Sequence, residues 1–260
     1  MCHDRATRRP RGAGVPGTIV LVPTYDERES LPVTLRRLLD AVPDVHVLVL
    51  DDASPDGTGA LADAMAADDA RIAVLHRPGK QGLGAAYVAG FHEAISRGYD
   101  VVVEMDADGS HPPETLPAML REVEGGADLS IGSRWVRGGS VVDWPMRREL
   151  LSRGANVYAR LLLGIPVHDV TAGFRAYRTS LLRELDLEAI DSRGYAFQIE
   201  MTIAASDVGA RIVEVPIAFV ERAAGVSKMS GSIVLEALVK VTGWGLGRRL
   251  ARARRRSRVL

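Results

Sequence analysis

The sequence has little cysteine and no long hydrophobic run. Its single cysteine, Cys2, stands among polar residues near the start of the 260-residue chain. This excludes a disulfide framework and a thiolate metal cluster, and it favours a reducing compartment. No apolar run approaches the roughly 20 residues of a membrane-spanning helix, and residues 1–17 lack the apolar centre of a signal peptide. We therefore expect a cytoplasmic protein that is not exported by an ordinary signal.

The chain also lacks a net charge, because 33 basic side chains balance 33 acidic ones. The balance hides an asymmetry: residues 1–17 carry +3 and residues 240–260 carry +8, which leaves −11 for the rest. A general nucleic-acid binder would carry positive charge along its working face, so we expect no nucleic-acid partner. An acidic body with basic ends suits a protein that binds a metal and touches an anionic surface.

Short apolar and β-branched runs alternate with longer helical patterns through the first half of the chain. The runs predict strands over 18–22, 46–50, 71–75, 101–105 and 128–132, and the patterns predict helices over 29–42, 56–69 and 82–98. Continuous apolar runs of this length, separated by helices, are typical of a parallel sheet that is covered on both faces. The sequence therefore predicts an α/β fold with a doubly wound, mostly parallel sheet.

The second half is less regular. It predicts a helix over 147–164, another around 197–209 and a strand over 211–222. We divide the chain into a disordered basic leader over 1–17, one domain over 18–229, and an amphipathic helix with an Arg-rich tail over 230–260.

Two aspartates, Asp106 and Asp108, follow the buried strand pattern in the stretch EMDADGSHPPE. Gly109 permits the turn that would aim both carboxylates at one ligand. Two adjacent carboxylates repel each other, and a divalent cation relieves that repulsion. An oxygen-only donor set favours Mg²⁺ or Mn²⁺, which commonly keep positions open for phosphate oxygens. The alternative is a solvated turn, since Asp-Gly is common turn chemistry.

Polar residues also follow the first two predicted strands, where an open α/β sheet binds its ligands. Tyr25 can stack, and Glu27 or Asp52 can accept a hydrogen bond from a base or a ribose. The alternatives are a βα loop for PTYDE and, in DDASPDGT, structural roles for Asp56 and Thr58.

Several basic residues stand near predicted strand ends or in loops of the acidic body: Arg134, Arg148, Arg222 and Lys228. Guanidinium and ammonium groups suit phosphate oxygens, although any one of them alone can be a surface ion pair. The histidines His111 and His168 have no partner at metal-ligand spacing, so we assign them structural or supporting roles.

The motifs occur in a characteristic order: PTYDE, DDASPDGT, KQGLGAAYVAG, DADGSHPPE, GSRW, VVDW, LSRGAN, DVTAGFRAY, GYAFQIEM and VPIAFVERAAGVSKMS. Together they resemble the polyprenyl-phosphate (dolichol-phosphate) mannose synthases, particularly the actinobacterial type, over about residues 18–245. These are inverting glycosyltransferases with a GT-A fold. The resemblance implies metal-dependent transfer of mannose from GDP-mannose to a polyprenyl phosphate.

The resemblance also implies roles for individual residues. The guanosine end of the donor would contact Pro23, Tyr25, Glu27, Leu50 and Asp52. The metal and diphosphate would contact Asp106, Ala107 and Asp108, with Arg222 and Lys228 closing on the donor. The acceptor phosphate would contact Arg134, Arg148 and Ser152, and we expect Asp108, Arg134 and Arg148 to be catalytic. Gly109 and Ser110 depart from the residues that many or some relatives carry there.

Membrane access and the choice of donor are left open by the sequence. The apolar stripe from Val234 to Trp244, followed by arginines, predicts contact with a membrane surface, and the alternative is packing on the body. A separate membrane protein would be another anchor. The rival functions are a polyprenyl-phosphate glucosyltransferase that uses UDP-glucose, and a non-catalytic protein that binds nucleotide sugars.

Overall fold

A computed structural model describes residues 17–190, 192, 194–221 and 238–249. The strands are β1 Thr18–Thr24, β2 His46–Asp51, β3 Ile72–His76, β4 Val101–Glu104, β5 Leu129–Ser133, β6 Ser140–Val142, β7 Arg175–Arg178, β8 Ile212–Pro216 and β9 Ala218–Val220. The α-helices are α1 Leu31–Ala41, α2 Thr58–Asp68, α3 Leu83–Ser96, α4 Leu116–Glu124, α5 Met146–Leu163, α6 Thr179–Glu184 and α7 Tyr195–Asp207. Two short 3₁₀ turns span Pro113–Thr115 and Leu187–Ala189, and residues 238–249 are helical.

The main sheet has seven strands in the order β3-β2-β1-β4-β7-β5-β8. Its strand pairs are parallel except those of β7, which runs antiparallel to β4 and β5. This confirms the predicted doubly wound α/β fold. The predicted strand over 211–222 is instead two strands, because the chain leaves the main sheet after Pro216 and pairs β9 with β6.

Helices cover both faces of this sheet. The side chains of β1 alternate, so that Ile19 and Leu21 pack with helices α3, α5, α6 and α7, whereas Val20 and Val22 pack with α1, α2 and α4. Burial of one such Leu, Ile or Val side chain stabilises the fold by about 1.5–3 kcal/mol. Gly90 lets α3 lie close to the sheet, since a Cβ there would stand 2.8 Å from Leu21 Cδ1 and 3.0 Å from Leu50 Cδ1.

The C-terminal helical residues 238–249 pack on α5. The Tyr158 hydroxyl meets Thr242 Oγ1 at 2.8 Å, and Arg248 Nε donates to the Leu163 carbonyl at 3.2 Å. Val241 is 3% exposed and Trp244 packs on the core, so both face the body. Val234, the remainder of 230–237 and the arginines beyond 249 lie outside the described residues, as do leader residues 1–16. No helix in the described part of the chain combines the length and apolar character of a membrane crossing.

Candidate active site

A cleft opens where β1, β2, β4 and β5 end, and it gathers most of the predicted site residues. Those that line it are Pro23, Tyr25, Glu27, Asp52, Asp106, Ala107, Asp108, Arg134 and Arg148. The side chain of Leu50 is fully buried in the core on the α3 face, away from the cleft. Ser152 is half-buried on α5, one turn beyond Arg148, and is not among the lining residues. Arg222 and Lys228 lie outside the described residues.

The loop after β4 holds both aspartates in place. Gly109 has a φ of +76°, which confirms the predicted turn. The Ser110 N–H donates to Asp108 Oδ1 at 3.1 Å, and the Tyr87 hydroxyl donates to Asp106 Oδ1 at 3.3 Å. From α1, the Thr34 hydroxyl donates to the Ala107 carbonyl at 2.8 Å. The carboxylates therefore reach the cleft from a braced loop rather than from a free turn.

His111 is one of the braces. The residue is 2% exposed, and its ring stacks on Phe174 with 5.3 Å between the ring centroids. The Asp106 N–H donates to Nδ1 at 3.0 Å, so the neutral ring carries its proton on Nε2, which lies 3.9 Å from Asp106 Oδ2. This contact confirms the supporting role predicted for His111. His168 lies elsewhere, against Glu214, at 2.8 Å from Nδ1 to Oε2.

The residues of the loop also decide whether a divalent cation fits. Among the described residues, no three His, Cys, Asp or Glu side chains form a metal cluster. Ser110 lines the cleft with its hydroxyl buried and without a hydrogen-bond partner in the described structure. Two carboxylates and a hydroxyl suit Mg²⁺ or Mn²⁺, ions that take oxygen ligands and share them with phosphates.

A buried polar cluster that the sequence analysis missed lies beneath the loop. Glu104 is fully buried, and this burial raises its pKa to about 8 against the opposing charge of Arg175 and a 2.8 Å hydrogen bond from Gln198 Nε2. Arg175 is also fully buried and donates to the carbonyls of Val170 and Ala172 at 2.9 and 2.7 Å. It thereby shapes the loop 171–173, which lines the cleft.

On the β1–β2 side, Asp52 has a partner that the sequence analysis did not identify. Arg77 Nη1 hydrogen-bonds to Asp52 Oδ1, and Arg77 Nη2 donates to Gln81 Oε1 at 3.1 Å. Burial raises the pKa of Asp52, opposed by the Arg77 charge and its hydrogen bond. Nearby, the Lys80 ammonium lies 3.9 Å from the centre of the Tyr25 ring. Lys80 thus adds a cation to the lining of the predicted nucleotide side, whereas Arg77 is buried and reaches the site through its bond to Asp52.

The alternative roles suggested for Asp56 and Thr58 are confirmed. The Thr58 N–H and hydroxyl donate to Asp56 Oδ1 at 2.9 and 2.6 Å, and the Arg28 N–H donates to Asp56 Oδ2 at 3.1 Å. Asp56 therefore ties the start of α2 to the loop after β1. Its carboxylate has a structural role.

On the opposite side, Arg134 is held by a buried carboxylate. Its Nε and Nη2 donate to Asp169 at 2.7 and 2.6 Å, and Nη2 also donates to the Thr171 hydroxyl at 2.8 Å. Burial by itself would raise the pKa of Asp169, yet the Arg134 charge and the hydrogen bonds together hold that pKa below its usual value. Asp169 thus fixes the orientation of the Arg134 guanidinium and balances its positive charge.

Arg148 reaches the cleft from the first turn of α5. Its guanidinium lies over the Trp144 ring, 3.9 Å from the centroid, and hydrogen-bonds to Glu221. Aromatic rings surround both arginines, since Trp135, Trp144 and Phe219 each lie 5.4–5.6 Å from Arg134 Cζ. The sequence analysis quoted the motifs that contain these rings without assigning the rings a role.

The two parts of the cleft suit different ligands. Two carboxylates suited to a cation occupy one part of the cleft, and two arginines suited to a phosphate line another part. Such a site can hold a metal-bound diphosphate and a second phosphate in the same cleft.

Comparison with known proteins agrees with this geometry. Residues 19–186 match the model of the family described as glycosyl transferase family 2. The chain is 57% identical over 253 residues to the polyprenol monophosphomannose synthase of Mycolicibacterium smegmatis, which covers 97% of this chain and 94% of that protein. It is 58% identical over 231 residues to the undecaprenyl-phosphate mannosyltransferase of Micrococcus luteus, covering 89% of this chain and 95% of that protein.

Solved structures show the same fold at low identity. Glucosyl-3-phosphoglycerate synthase from Mycobacterium tuberculosis, in complex with Mn²⁺, UDP-glucose and phosphoglyceric acid, superposes with a TM-score of 0.67 at 20% identity. The match covers 91% of this chain and 86% of that one. The fold, the family match and the relatives agree, and the chain belongs to glycosyl transferase family 2.

Proposed function

We propose that the protein transfers mannose from GDP-mannose to a polyprenyl phosphate with inversion, giving polyprenyl phosphomannose and GDP. The observation that carries the proposal is that two aspartates and two arginines line the same cleft: Asp106, Asp108, Arg134 and Arg148. The two relatives at 57% and 58% identity, whose names specify mannose transfer and polyprenyl acceptors, support the sugar and the acceptor.

The donor would lie along the β1, β2 and β4 side of the cleft. Asp106 and Asp108, with the Ser110 hydroxyl beside them, would hold Mg²⁺ or Mn²⁺ and the donor diphosphate, and bound metal would supply positive charge to the departing GDP. Tyr25, Glu27 and Asp52 would contact the guanosine, with Pro23 beside them in the lining of the cleft. Leu50, which is buried away from the cleft, is left out of this proposal. We assign Arg222 and Lys228 to the donor diphosphate, a role that remains a prediction.

The acceptor would lie against the arginines. A phosphate monoester is already anionic at neutral pH, so this chain need not supply a strong general base. Its task is to align the phosphate oxygen opposite the leaving diphosphate, which Arg134 and Arg148 would do with Ser152. A single in-line displacement inverts the configuration at the sugar carbon.

The lipid acceptor requires access to a membrane, and α5 offers a suitable face. Met146, Leu150, Val157 and Leu161 are 76%, 64%, 55% and 67% exposed and lie on one side of the helix. Arg147, Arg153 and Arg160 flank this stripe. An apolar helical stripe with basic flanks suits an anionic membrane surface. We therefore place the protein at the cytoplasmic face of the membrane, with the Arg-rich C-terminal segment, or a membrane-protein partner, as further anchors.

A two-donor assay tests the proposal. Purified protein, Mn²⁺ or Mg²⁺ and a polyprenyl phosphate are incubated with labelled GDP-mannose or labelled UDP-glucose, and the lipid product is counted. We expect label from GDP-mannose, and Asp108→Asn should reduce it about a hundredfold or more. Asp68, which is exposed at the end of α2, provides the matched control, and Asp68→Asn should retain activity. Label from UDP-glucose alone would establish the glucosyltransferase, and donor binding without transfer would establish a binding protein.

A further inference from the structure

Both arginines of the acceptor side already contact a carboxylate. Arg134 pairs with Asp169, and Arg148 pairs with Glu221. The positive charges that would attract a phosphate are therefore matched in the ligand-free protein. An incoming phosphate must either share these arginines with the carboxylates or replace one of them.

The two carboxylates differ in how firmly they are held. Asp169 has no exposed surface and accepts hydrogen bonds from Arg134 N, Nε and Nη2 and from the Thr171 hydroxyl. The Glu221 side chain is 34% exposed, and it accepts a hydrogen bond from Arg148 Nη1. A buried carboxylate with many donors is costly to release, whereas an exposed one can exchange its partner for water.

Arg148 has support that does not depend on Glu221. Its guanidinium stacks over Trp144 at 3.9 Å, and its side chain is 24% exposed. Trp144 is in turn packed edge-on against Phe219, with 5.6 Å between the centroids. The aromatic stack would keep the guanidinium in the cleft when Glu221 leaves it.

The position of Glu221 connects it with the metal loop. It follows β9, whose residues 218–220 pair with β6. The N–H of Val220, next to Glu221, donates to the carbonyl of Ser110 at 3.4 Å. Glu221 is therefore the first residue after the small sheet. Its neighbour Val220 contacts the loop of the two aspartates, and its own carboxylate contacts the arginine of the acceptor side.

We propose that Glu221 occupies, in the ligand-free protein, the position on Arg148 that the acceptor phosphate takes, and that the phosphate displaces it. Glu221 then sets the affinity for the acceptor, because any anion that binds Arg148 must compete with an internal carboxylate. A phosphate monoester competes well, since it carries more charge and more acceptor oxygens than one carboxylate. The inference rests on the proposed function, in which Arg148 binds the acceptor phosphate.

The test measures phosphate binding by the full chain. Farnesyl phosphate, a short prenyl phosphate, and GDP with Mn²⁺ are titrated by calorimetry into the wild type, Glu221→Gln and Glu149→Gln. Glu149 is the matched control, because its side chain is also 34% exposed and pairs with an arginine of α5, Arg153. We expect Glu221→Gln to bind farnesyl phosphate about fivefold more tightly, the effect expected of a partly exposed ion pair, with GDP affinity unchanged. Glu149→Gln should stay within about twofold of the wild type.

The outcomes separate the inference from the proposed function. Equal or weaker binding of farnesyl phosphate by Glu221→Gln overturns the inference while leaving the function intact. If Glu221→Gln and Glu149→Gln both bind farnesyl phosphate more tightly by the same factor, the effect is due to net charge and the inference is overturned. Tighter binding of GDP alone by Glu221→Gln also overturns the inference. If the wild type neither binds farnesyl phosphate nor transfers mannose, the proposed function fails and the inference fails with it. Melting curves check that the variants are folded.

Discussion

Asp169→Asn would remove the charge of the buried carboxylate that holds Arg134. The substitution preserves the shape of the side chain and one acceptor oxygen. It also turns an amide NH₂ towards groups that are themselves donors, because Asp169 accepts four hydrogen bonds, from three Arg134 nitrogens and the Thr171 hydroxyl. The Arg134 guanidinium, in a residue that is 5% exposed, would then lose the negative charge of Asp169.

The size of the effect follows from this burial. Breaking a buried ion pair by removing one partner costs about 3–5 kcal/mol. For a domain of this size 1 kcal/mol corresponds to about 2–4 °C, so the melting temperature should fall by about 6–20 °C. An exposed ion pair is the matched control. Glu114 accepts hydrogen bonds from two nitrogens of Arg37, but the side chains of Glu114 and Arg37 are 56% and 43% exposed. Glu114→Gln should cost at most about 1 kcal/mol.

Thermal and urea unfolding of the wild type and both variants measure these differences. A loss for Asp169→Asn no larger than that of Glu114→Gln would refute the reasoning that burial makes the Arg134 pair strong. The pH dependence gives a second check. The pKa of Asp169 is lowered in the folded protein, so its stabilisation is present at neutral pH and is lost as pH falls from about 4 through the lower folded pKa. The gap in stability between wild type and Asp169→Asn should therefore narrow below about pH 4.

Two further predictions concern the loops of the cleft. His111→Asn retains an acceptor near the position of Nδ1 and should keep Mn²⁺ affinity, measured by electron paramagnetic resonance, within about threefold. His111→Gln, whose polar group lies further out, leaves the Asp106 N–H without its acceptor and should weaken Mn²⁺ binding about tenfold; equal affinities would contradict this role for Nδ1. In Gly139→Ala, the new Cβ would stand 2.6 Å from the Ser133 carbonyl oxygen and 2.8 Å from backbone atoms of Arg134. The loop must shift, so unfolding free energy should fall by about 1–3 kcal/mol and acceptor binding should weaken, whereas the open Gly154→Ala should show neither effect.

Local sequence pattern was sufficient for the frame of the protein. The apolar runs predicted the first five strands within one or two residues, because a strand buried on both faces needs a continuous apolar stretch. Parallel strands end at the same edge, so the polar residues that follow them were expected to meet, and the cleft contains both Asp52 and the pair Asp106 and Asp108. The turn at Gly109 was equally local, since only glycine adopts its φ of +76° without strain.

The orientation of side chains depended on neighbours that pattern alone did not specify. Leu50 is the last residue but one of β2, beside the cleft, yet its side chain faces α3 because alternate residues of β2 face opposite sides of the sheet. Val241 and Trp244 form an apolar stripe that would suit either a membrane or the body. The structure places both against the body, where α5 provides the packing surface.

The sequence by itself determined the sheet, the edge at which the site forms and the residue types gathered there. Only the tertiary structure decided which charges are paired: Arg77 with Asp52, Asp169 with Arg134 and Glu221 with Arg148, across 25, 35 and 73 residues. These pairings have no sequence period, because they depend on where the loops carry each side chain after the sheet has formed. They matter for function because they establish which positive charges of the cleft are matched before a ligand arrives.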